Sequence, residues 1–559
     1  MSSLKYLAEL FFSLLPFVAL YVFLRKPSRK RFLHRRSVVV VVLGDIGRSP
    51  RMMYHSQSFA QHDFETFIVG YRGSEPPKSL RELPHVHFLY LPTLPQFILQ
   101  APRSLFLLVG PLKVIFQTLA VLHALLVRLP YTTEFIIVQN PPSIPTLAIV
   151  QFVNRTQKSK LIIDWHNLGY SILAIRLGNE HRLVKIAEWF ERTFGRVAYA
   201  HLFVTKAMKD HLVKKWQLKG RTAVLHDRPP SHFHPCSPAE SHDLFCSMPD
   251  FLPPVGSSFL PSFKKRTSTP FTRLASPYEA LSSSAVSGQR RSATPEGLQE
   301  PTAAARSLTM AMATDVSFSK EAMSVATRRE DRPALVITST SWTADERFDI
   351  FLEALRLYER RASEVNGSKS DESPRLPKIM AVVTGKGDLR EKSMQEVMDL
   401  EESEQWKWVR CRSVWLSAAD YPILLGSADL GVSLHKSSSD LDLPMKIVDM
   451  FGCGLPVCAL NFACLDELVK PGINGVVFDT AQELAEHFEH LLASFPTNPE
   501  LDRLTSSLRT HVTSSHPSPS LHAGGEVNGQ EAEWQWGSWD QNWDRVVRPL
   551  VGPTHYSTL

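Results

Sequence analysis

Residues 37–53 read SVVVVVLGDIGRSPRMM. Val38 to Val42 form an unbroken apolar run, so the side chains cannot alternate between core and water. Such a run fits a strand covered on both faces, as in a parallel sheet held between helices. It ends at Gly44-Asp45. Ser49-Pro50 then reads as an N-cap followed by proline at the first helical position. Similar runs follow at 64–70, 86–91, 134–139, 160–165, 201–205 and 222–226, with helical spacing between them. A second series occupies 333–341, 377–385, 406–410, 428–435, 455–460 and 474–478. Strands alternating with helices predict βαβ units. The expected fold is α/β: two doubly wound, Rossmann-like domains facing a central cleft at their strand C-termini.

Outside the two domains the sequence changes character. Residues 6–24, YLAELFFSLLPFVALYVFL, carry one charge, Glu9, and the next twelve, RKPSRKRFLHRR, carry seven Lys/Arg and no acid. About 19 apolar residues reach roughly 28 Å, enough for one bilayer crossing. Basic residues after the run, not before it, favour an uncleaved N-terminal transmembrane helix over a signal peptide, with all that follows in the cytosol. The expected boundaries are 1–36 for the anchor and its basic flank, 37–235 for the first domain and 331–510 for the second. Between them, 236–330 reads as a disordered insertion, because 251–330 holds 22 Ser/Thr and 7 Pro without sustained periodicity. Residues 511–559 read as a loose segment ending in a helix that docks tryptophans 534, 536, 539 and 543. Residues 95–128 are apolar but interrupted by Arg103, Gly110-Pro111 and Lys113. Both a core helix and a face that dips into the bilayer fit them.

The chain has 559 residues, 43% of them hydrophobic and 21% charged, which excludes a wholly disordered protein and a polytopic membrane protein. The net charge of +6 draws heavily on the basic flank, so juxtamembrane contact with anionic lipid explains it and nucleic acid is not an expected partner. The six cysteines contain no C-x-x-C, which argues against a zinc site and a disulfide scaffold and for a reducing compartment.

Several strand ends carry chemistry. Gly44 and Gly47 permit a tight turn at a helix N-terminus, and Arg48 and Arg51 add charge, so a phosphate cradle fits there. Asp164-Trp165-His166-Asn167 ends a strand; Asp164 or His166 could take a proton from a hydroxyl nucleophile. In the second half, Ser341 ends a strand, and Gly385-Lys386-Gly387 follows one in a turn that suits a nucleotide. The stretch from His435 and Lys436 to Lys446 is a polar loop leading into a helix. Asp442, Lys446 and Asp449 are expected on one helix face, with Met445, Val448 and Phe451 turned to the core. Lys446 and the helix start suit a diphosphate, and Asp449 a ribose or sugar hydroxyl. The alternatives are ordinary turns and a surface Asp–Lys pair worth about 0.3–0.5 kcal/mol.

LGDIGRSPRMMYHS (43–56), DWHNLGYSIL (164–173), HDRPP (226–230), STSWTADERFDIFLEAL (339–355), VVTGKGDL (382–389) and DLDLPMKIVDMFGCGLPVCAL (440–460) occur in this order. Together they resemble the chitobiosyldiphosphodolichol β-mannosyltransferases, a family of GT-B nucleotide-sugar glycosyltransferases, over roughly 37–235 and 333–480. The resemblance implies transfer of mannose from GDP-mannose to dolichol-linked chitobiose diphosphate, with inversion to a β-1,4 link, at the cytosolic face of the endoplasmic reticulum membrane. It implies a base among Asp45, Asp164 and His166. Ser341, Gly385, Lys386, Gly387, His435, Lys436, Asp442, Lys446 and Asp449 would hold the donor. Gly44, Gly47, Arg48 and Arg51 would hold the acceptor diphosphate. No metal is required, although a divalent cation could stimulate, and other transferases of the same pathway are conceivable partners. Retaining enzymes of this fold place two acids eight positions apart, whereas Leu441 stands eight before Asp449 here. A UDP-GlcNAc-dependent transferase acting on a lipid-linked acceptor and an inactive scaffold are the alternative functions.

Overall fold

A computed structural model of the chain describes residues 35–94, 106–248, 258–264, 267–275, 325–342, 346–367, 375–435, 441–513 and 537–552. The anchor at 6–24, Lys436 and tryptophans 534 and 536 lie outside the described residues. Among those described, no helix is long and apolar enough to cross a membrane.

The first sheet has seven parallel strands: β1 (Ser37–Asp45), β2 (Glu65–Tyr71), β3 (Val86–Tyr90), β4 (Phe135–Asn140), β5 (Lys160–Trp165), β6 (Val197–Phe203) and β7 (Lys219–Val224). Their order is β3-β2-β1-β4-β5-β6-β7. β1 is central, with Val38 opposite both Thr66 and Phe135. The valine run serves two cores at once. Val39 and Val41 face one helical layer, and Val38, Val40 and Val42 the other. The first layer is built by α2 (Phe106–His123), α3 (Thr146–Gln157) and α5 (Arg182–Gly195), with α4 (Gly169–Leu177) packed on α5. α1 (Pro50–Gln61) covers the other face. The chain then crosses with α6 (Lys206–Trp216) to β7 and the HDRPP segment.

The second sheet has six parallel strands: β10 (Ala334–Ser339), β11 (Ile379–Thr384), β12 (Val409–Val414), β13 (Leu430–Ser433), β14 (Val457–Leu460) and β15 (Gly475–Phe478). Their order is β12-β11-β10-β13-β14-β15. β12 starts later than its apolar run because Glu359 accepts the N–H groups of Lys407, Trp408 and Val409, which leaves Trp406 turned into the core. β6 starts earlier than expected, since buried His201 interrupts its apolar pattern.

The edges of the 236–330 segment are folded, contrary to the expectation of disorder there. α7 (Pro238–Ser247) starts with a reciprocal Ser237–Glu240 capping box. Leu244, Phe245, Phe259 and Phe271 join the core beneath β10 and β11. β8 (Thr272–Ala275) pairs antiparallel with β9 (Val325–Arg328), and residues 276–324 between them lie outside the described ones. Their apolar side chains are irregularly spaced, so no helical or strand period signals this rim.

The C-terminal segment returns to the first domain. A helix at Trp539–Val546 buries Trp539 and Trp543 against α1 and the sheet core. Of the apolar 95–128 segment, α2 buries Val121 and Leu122 and leaves Leu112 and Leu119 exposed.

Candidate active site

The strand ends of the two sheets face each other. Asp164, at the end of β5, is fully buried. Arg51, from the second residue of α1, donates to its two oxygens at 2.8 and 3.0 Å and to Asp227 of HDRPP at 2.7 Å. His55, one helical turn on, lies 3.2 Å from Asp164 Oδ2, and His166 Nε2 lies 2.9 Å from the same oxygen. Burial alone would raise the Asp164 pKa, but Arg51 and the two histidines hold it well below the usual carboxylate range. Burial works against the Arg51 charge too, and Asp164 with Asp227 outweighs it. Buried charges survive only when paired and hydrogen-bonded like this.

The hydrogen bonds fix the tautomer of His55 and place a proton on His166. Trp543 Nε1–H donates to His55 Nδ1 at 3.1 Å. An indole nitrogen only donates, so His55 Nδ1 is bare and its proton is on Nε2, facing Asp164. Burial also lowers the His55 pKa, against the pull of Asp164, which keeps the ring neutral. A carboxylate only accepts, so His166 carries a proton on Nε2, and its Nδ1 is turned away from Asp164. His166 is one-fifth exposed, and its neighbour Asn167 donates to Asp442 of the other domain at 3.3 Å. The base candidates therefore separate. Asp164 is saturated with donors and orients His166. Asp45 accepts from Gly47 N–H at 3.0 Å and Ser74 N–H at 2.8 Å and organises its own loop. Ser49 does not cap α1 through its side chain; its Oγ donates to Asp45 O.

The proposed diphosphate cradle is only partly available. Arg51 is consumed by Asp164 and Asp227, so it cannot serve an outside phosphate. Arg48 is exposed, and Gly47 packs so close to Ser74 that a Cβ would sit 2.4 Å from its carbonyl oxygen. A Cβ on Gly44 would meet nothing within 4 Å.

In the second domain, two loops are pressed together. A Cβ on Gly385 would lie 1.7 Å from Thr340 O, and one on Gly387 would lie 2.0 Å from Ser341 O. Gly385 also has φ +128°, and Trp342 has φ +53°, a region costly for a bulky residue. Trp342 Nε1 donates to Gly385 O at 3.2 Å. Glu346, unnoticed in the sequence, ties the region together. It accepts from Ser341 N–H at 2.6 Å, from the Thr340 hydroxyl and from Lys446 Nζ. Its backbone pairs with that of His435. Lys446 lies at the first turn of α11 (Met445–Gly452), counting α8 (Phe348–Gly367), α9 (Arg390–Ser403) and α10 (Asp420–Ser427) before it. Lys386 Nζ stands over the exposed Trp415 ring at 4.1 Å.

Two expectations about α11 fail. Pro444 is its N-cap, so Asp442 precedes the helix and does not share a face with Lys446. Val448 and Phe451 are buried, but Met445 is exposed, because at the first helical position it has no preceding turn to pack on. Asp449 faces the first domain. Burial and then Asp227 push its pKa up to about 8, so it holds a proton at neutral pH.

The domains are joined by polar contacts around this cleft. Thr205 Oγ1 donates to Leu441 O at 2.5 Å. Glu467 accepts from Ala207 N–H at 2.7 Å and lies 3.0 Å from His226 Nε2. Pro229 packs where a Cβ on Gly452 would fall. Among the described residues, the one group of potential metal ligands, His234, Cys236 and Glu240, belongs to the linker, and Glu240 there caps α7.

Two Rossmann-like parallel sheets face each other across a cleft, with His166 at one strand end and Lys446 at a helix start on the other side, which is the architecture of a GT-B glycosyltransferase. The family model for glycosyl transferases group 1 matches residues 332–494. The fold is shared with sucrose-phosphate synthase from Thermosynechococcus elongatus, with a TM-score of 0.50 at 12% identity, covering 85% of this chain and 94% of that one. The human chitobiosyldiphosphodolichol beta-mannosyltransferase is 37% identical over 521 residues, 93% of each chain. That of Yarrowia lipolytica is 34% identical over 550 residues, 96% of this chain and 92% of its own. An Arabidopsis thaliana protein named UDP-glycosyltransferase TURAN is 37% identical over 524 residues, 92% of this chain and 97% of its own. The chain belongs to the chitobiosyldiphosphodolichol β-mannosyltransferase family.

Proposed function

We propose that the chain transfers mannose from GDP-mannose to the 4-hydroxyl of the outer GlcNAc of dolichol-linked chitobiose diphosphate. The observation that carries the mechanism is His166, held by Asp164 through Nε2, beside a cleft whose far wall presents Lys446. In this reading His166 Nδ1 accepts the hydroxyl proton, the sugar oxygen bonds to the mannose anomeric carbon from the face opposite the diphosphate, and the carbon–oxygen bond to GDP breaks. GDP leaves with the bonding electron pair. One displacement inverts the α donor to a β link.

Lys446 and the start of α11 stabilise the developing charge on GDP, as preorganised donors do best in a site of low dielectric. Glu346 aims Lys446 and the Ser341 loop. Lys386, His435, Lys436 and Asp442 complete the donor side, protonated Asp449 donates to a sugar or ribose oxygen, and Arg48 with Gly47 meets the acceptor diphosphate. No metal is needed for turnover, and a divalent cation at most stimulates. The family membership and the basic flank of 25–36 support a place at the cytosolic face of the endoplasmic reticulum membrane, with residues 6–24 as the anchor.

The test is transfer by the full chain in detergent, with GDP-mannose and UDP-GlcNAc offered separately to chitobiose diphosphate on a lipid. One hexose from GDP-mannose, removable by β-mannosidase, is the expected product. The name of the Arabidopsis relative favours one second reading, a UDP-sugar donor. Turnover with UDP-GlcNAc alone would establish it, and silence with both from folded protein would leave a scaffold.

A further inference from the structure

The first domain has one helical layer whose outer side is both apolar and basic. α4, GYSILAIRL, has no buried residue among its nine, although most of them are apolar. Ile172 and Ile175 are exposed, Ile175 by 61%. α5 buries Val184, Ala187 and Glu191 and turns Leu183 and Trp189 outward, Trp189 by 53%. In the same layer α2 exposes Leu112 and Leu119. Sixteen large hydrophobic side chains are exposed among the described residues, and seven of them stand on α2, α4 and α5. Scattered singly they would need no explanation, but concentrated on one layer they mark an interaction surface.

Charge identifies what covers it. Arg176, Arg182 and Arg192 stand exposed among these side chains. The nearby acids are spent: Glu180 pairs with Lys185 at 2.6 Å, Glu188 with Lys215 at 2.7 Å, and buried Glu191 accepts Gly169 N–H at 2.8 Å. Apolar side chains with an aromatic, rimmed by long basic ones, suit the headgroup boundary of an anionic bilayer, where basic stems lie along the apolar zone and their charges meet phosphates.

We propose that α4 and the outer side of α5 rest on an anionic membrane surface. α4 begins at Gly169, three residues after His166, and Glu191 clamps that start to α5. The contact therefore sets the height of His166 above the bilayer. This consequence rests on the lipid-linked acceptor assigned above, whereas the contact itself does not.

The test uses the full chain in nanodiscs of phosphatidylcholine with or without phosphatidylserine, no substrate added, and a diazirine-bearing lipid. Cross-linked peptides are mapped by mass spectrometry. Labelling within 172–192 that strengthens with phosphatidylserine is expected. It should fall several-fold in the double variant Ile175→Glu, Trp189→Glu, whose substitutions are exposed and should leave the circular dichroism unchanged. With a short-lipid acceptor in detergent, that variant should turn over normally. No labelling of 172–192, or labelling indifferent to phosphatidylserine, would overturn the proposal. Because labelling needs no substrate, it stays readable if the transfer assay fails.

Discussion

At the scale of single residues, the proposed mechanism divides between His166 and Asp164 work that either could have done alone. Asp164 accepts from Arg51, His55 and His166 and stays ionised far below neutral pH. A carboxylate so stabilised is a poor base, but it fixes the ring that can be one. His166→Ala should therefore lower kcat roughly 100- to 10,000-fold, the usual contribution of a positioned base. Binding of the nucleotide sugar, read by calorimetry, should be unchanged, and unaltered kcat would remove His166 from the mechanism. Both residues were legible as a polar cluster at a strand end. The fate of Arg51 was not, because its partner Asp164 lies 113 positions away and only the sheet order brings α1 over β5. A basic residue at a glycine turn looks the same in sequence whether it waits for a phosphate or is already paired.

At the scale of elements, the donor wall depends on one loop reaching one helix. Glu346 joins the end of β10 to α11, and the crowded glycines 385 and 387 let the neighbouring loop approach. Charge-assisted hydrogen bonds contribute about 1.5–3 kcal/mol, so Glu346→Ala should raise the donor KM roughly tenfold or more. The acceptor KM should not move; equal changes in both would point to general loss of structure. Glu346 was invisible in the sequence because it sits between a loop and a long amphipathic helix, where an acid usually means only a helix start. The C-terminal helix acts on the other wall. Trp543 packs edge-on against Phe59 at 5.2 Å and also gives His55 its N–H. Trp543→Phe keeps most of the packing and deletes the donor. An unsatisfied buried nitrogen should cost about 1–3 kcal/mol in denaturant unfolding. A fall in kcat at constant donor KM should accompany it as the His55–Asp164–His166 line loosens. Lost stability with unchanged kcat would assign Trp543 to packing alone. The tryptophans themselves announced a docking helix; that its indole N–H reaches the His55–Asp164–His166 cluster could be learned only from the fold.

At the scale of the whole molecule, the raised pKa of Asp449 predicts that closure of the two domains is coupled to a proton. Asp449 of α11 is held protonated up to about pH 8 by burial and by Asp227 across the cleft. Tyr54 and Tyr421 face the same acid, and burial raises both well above their ordinary value, so neither titrates in the same range. An opened cleft returns Asp449 to water, where a carboxyl titrates near ~3.9. Between that value and about 8 the closed form binds more protons than the open one. Closure is thus favoured fully at low pH, weakens as pH rises through the window, and has lost this contribution once the closed form also ionises. Small-angle scattering of the full chain should show a radius of gyration that grows as pH rises from about 4 through about 8 and levels off above it. Asp449→Asn cannot ionise, so it should keep the compact value across the range while still hydrogen-bonding within the cleft. Expansion of the variant in step with the parent chain would remove Asp449 from the pH response.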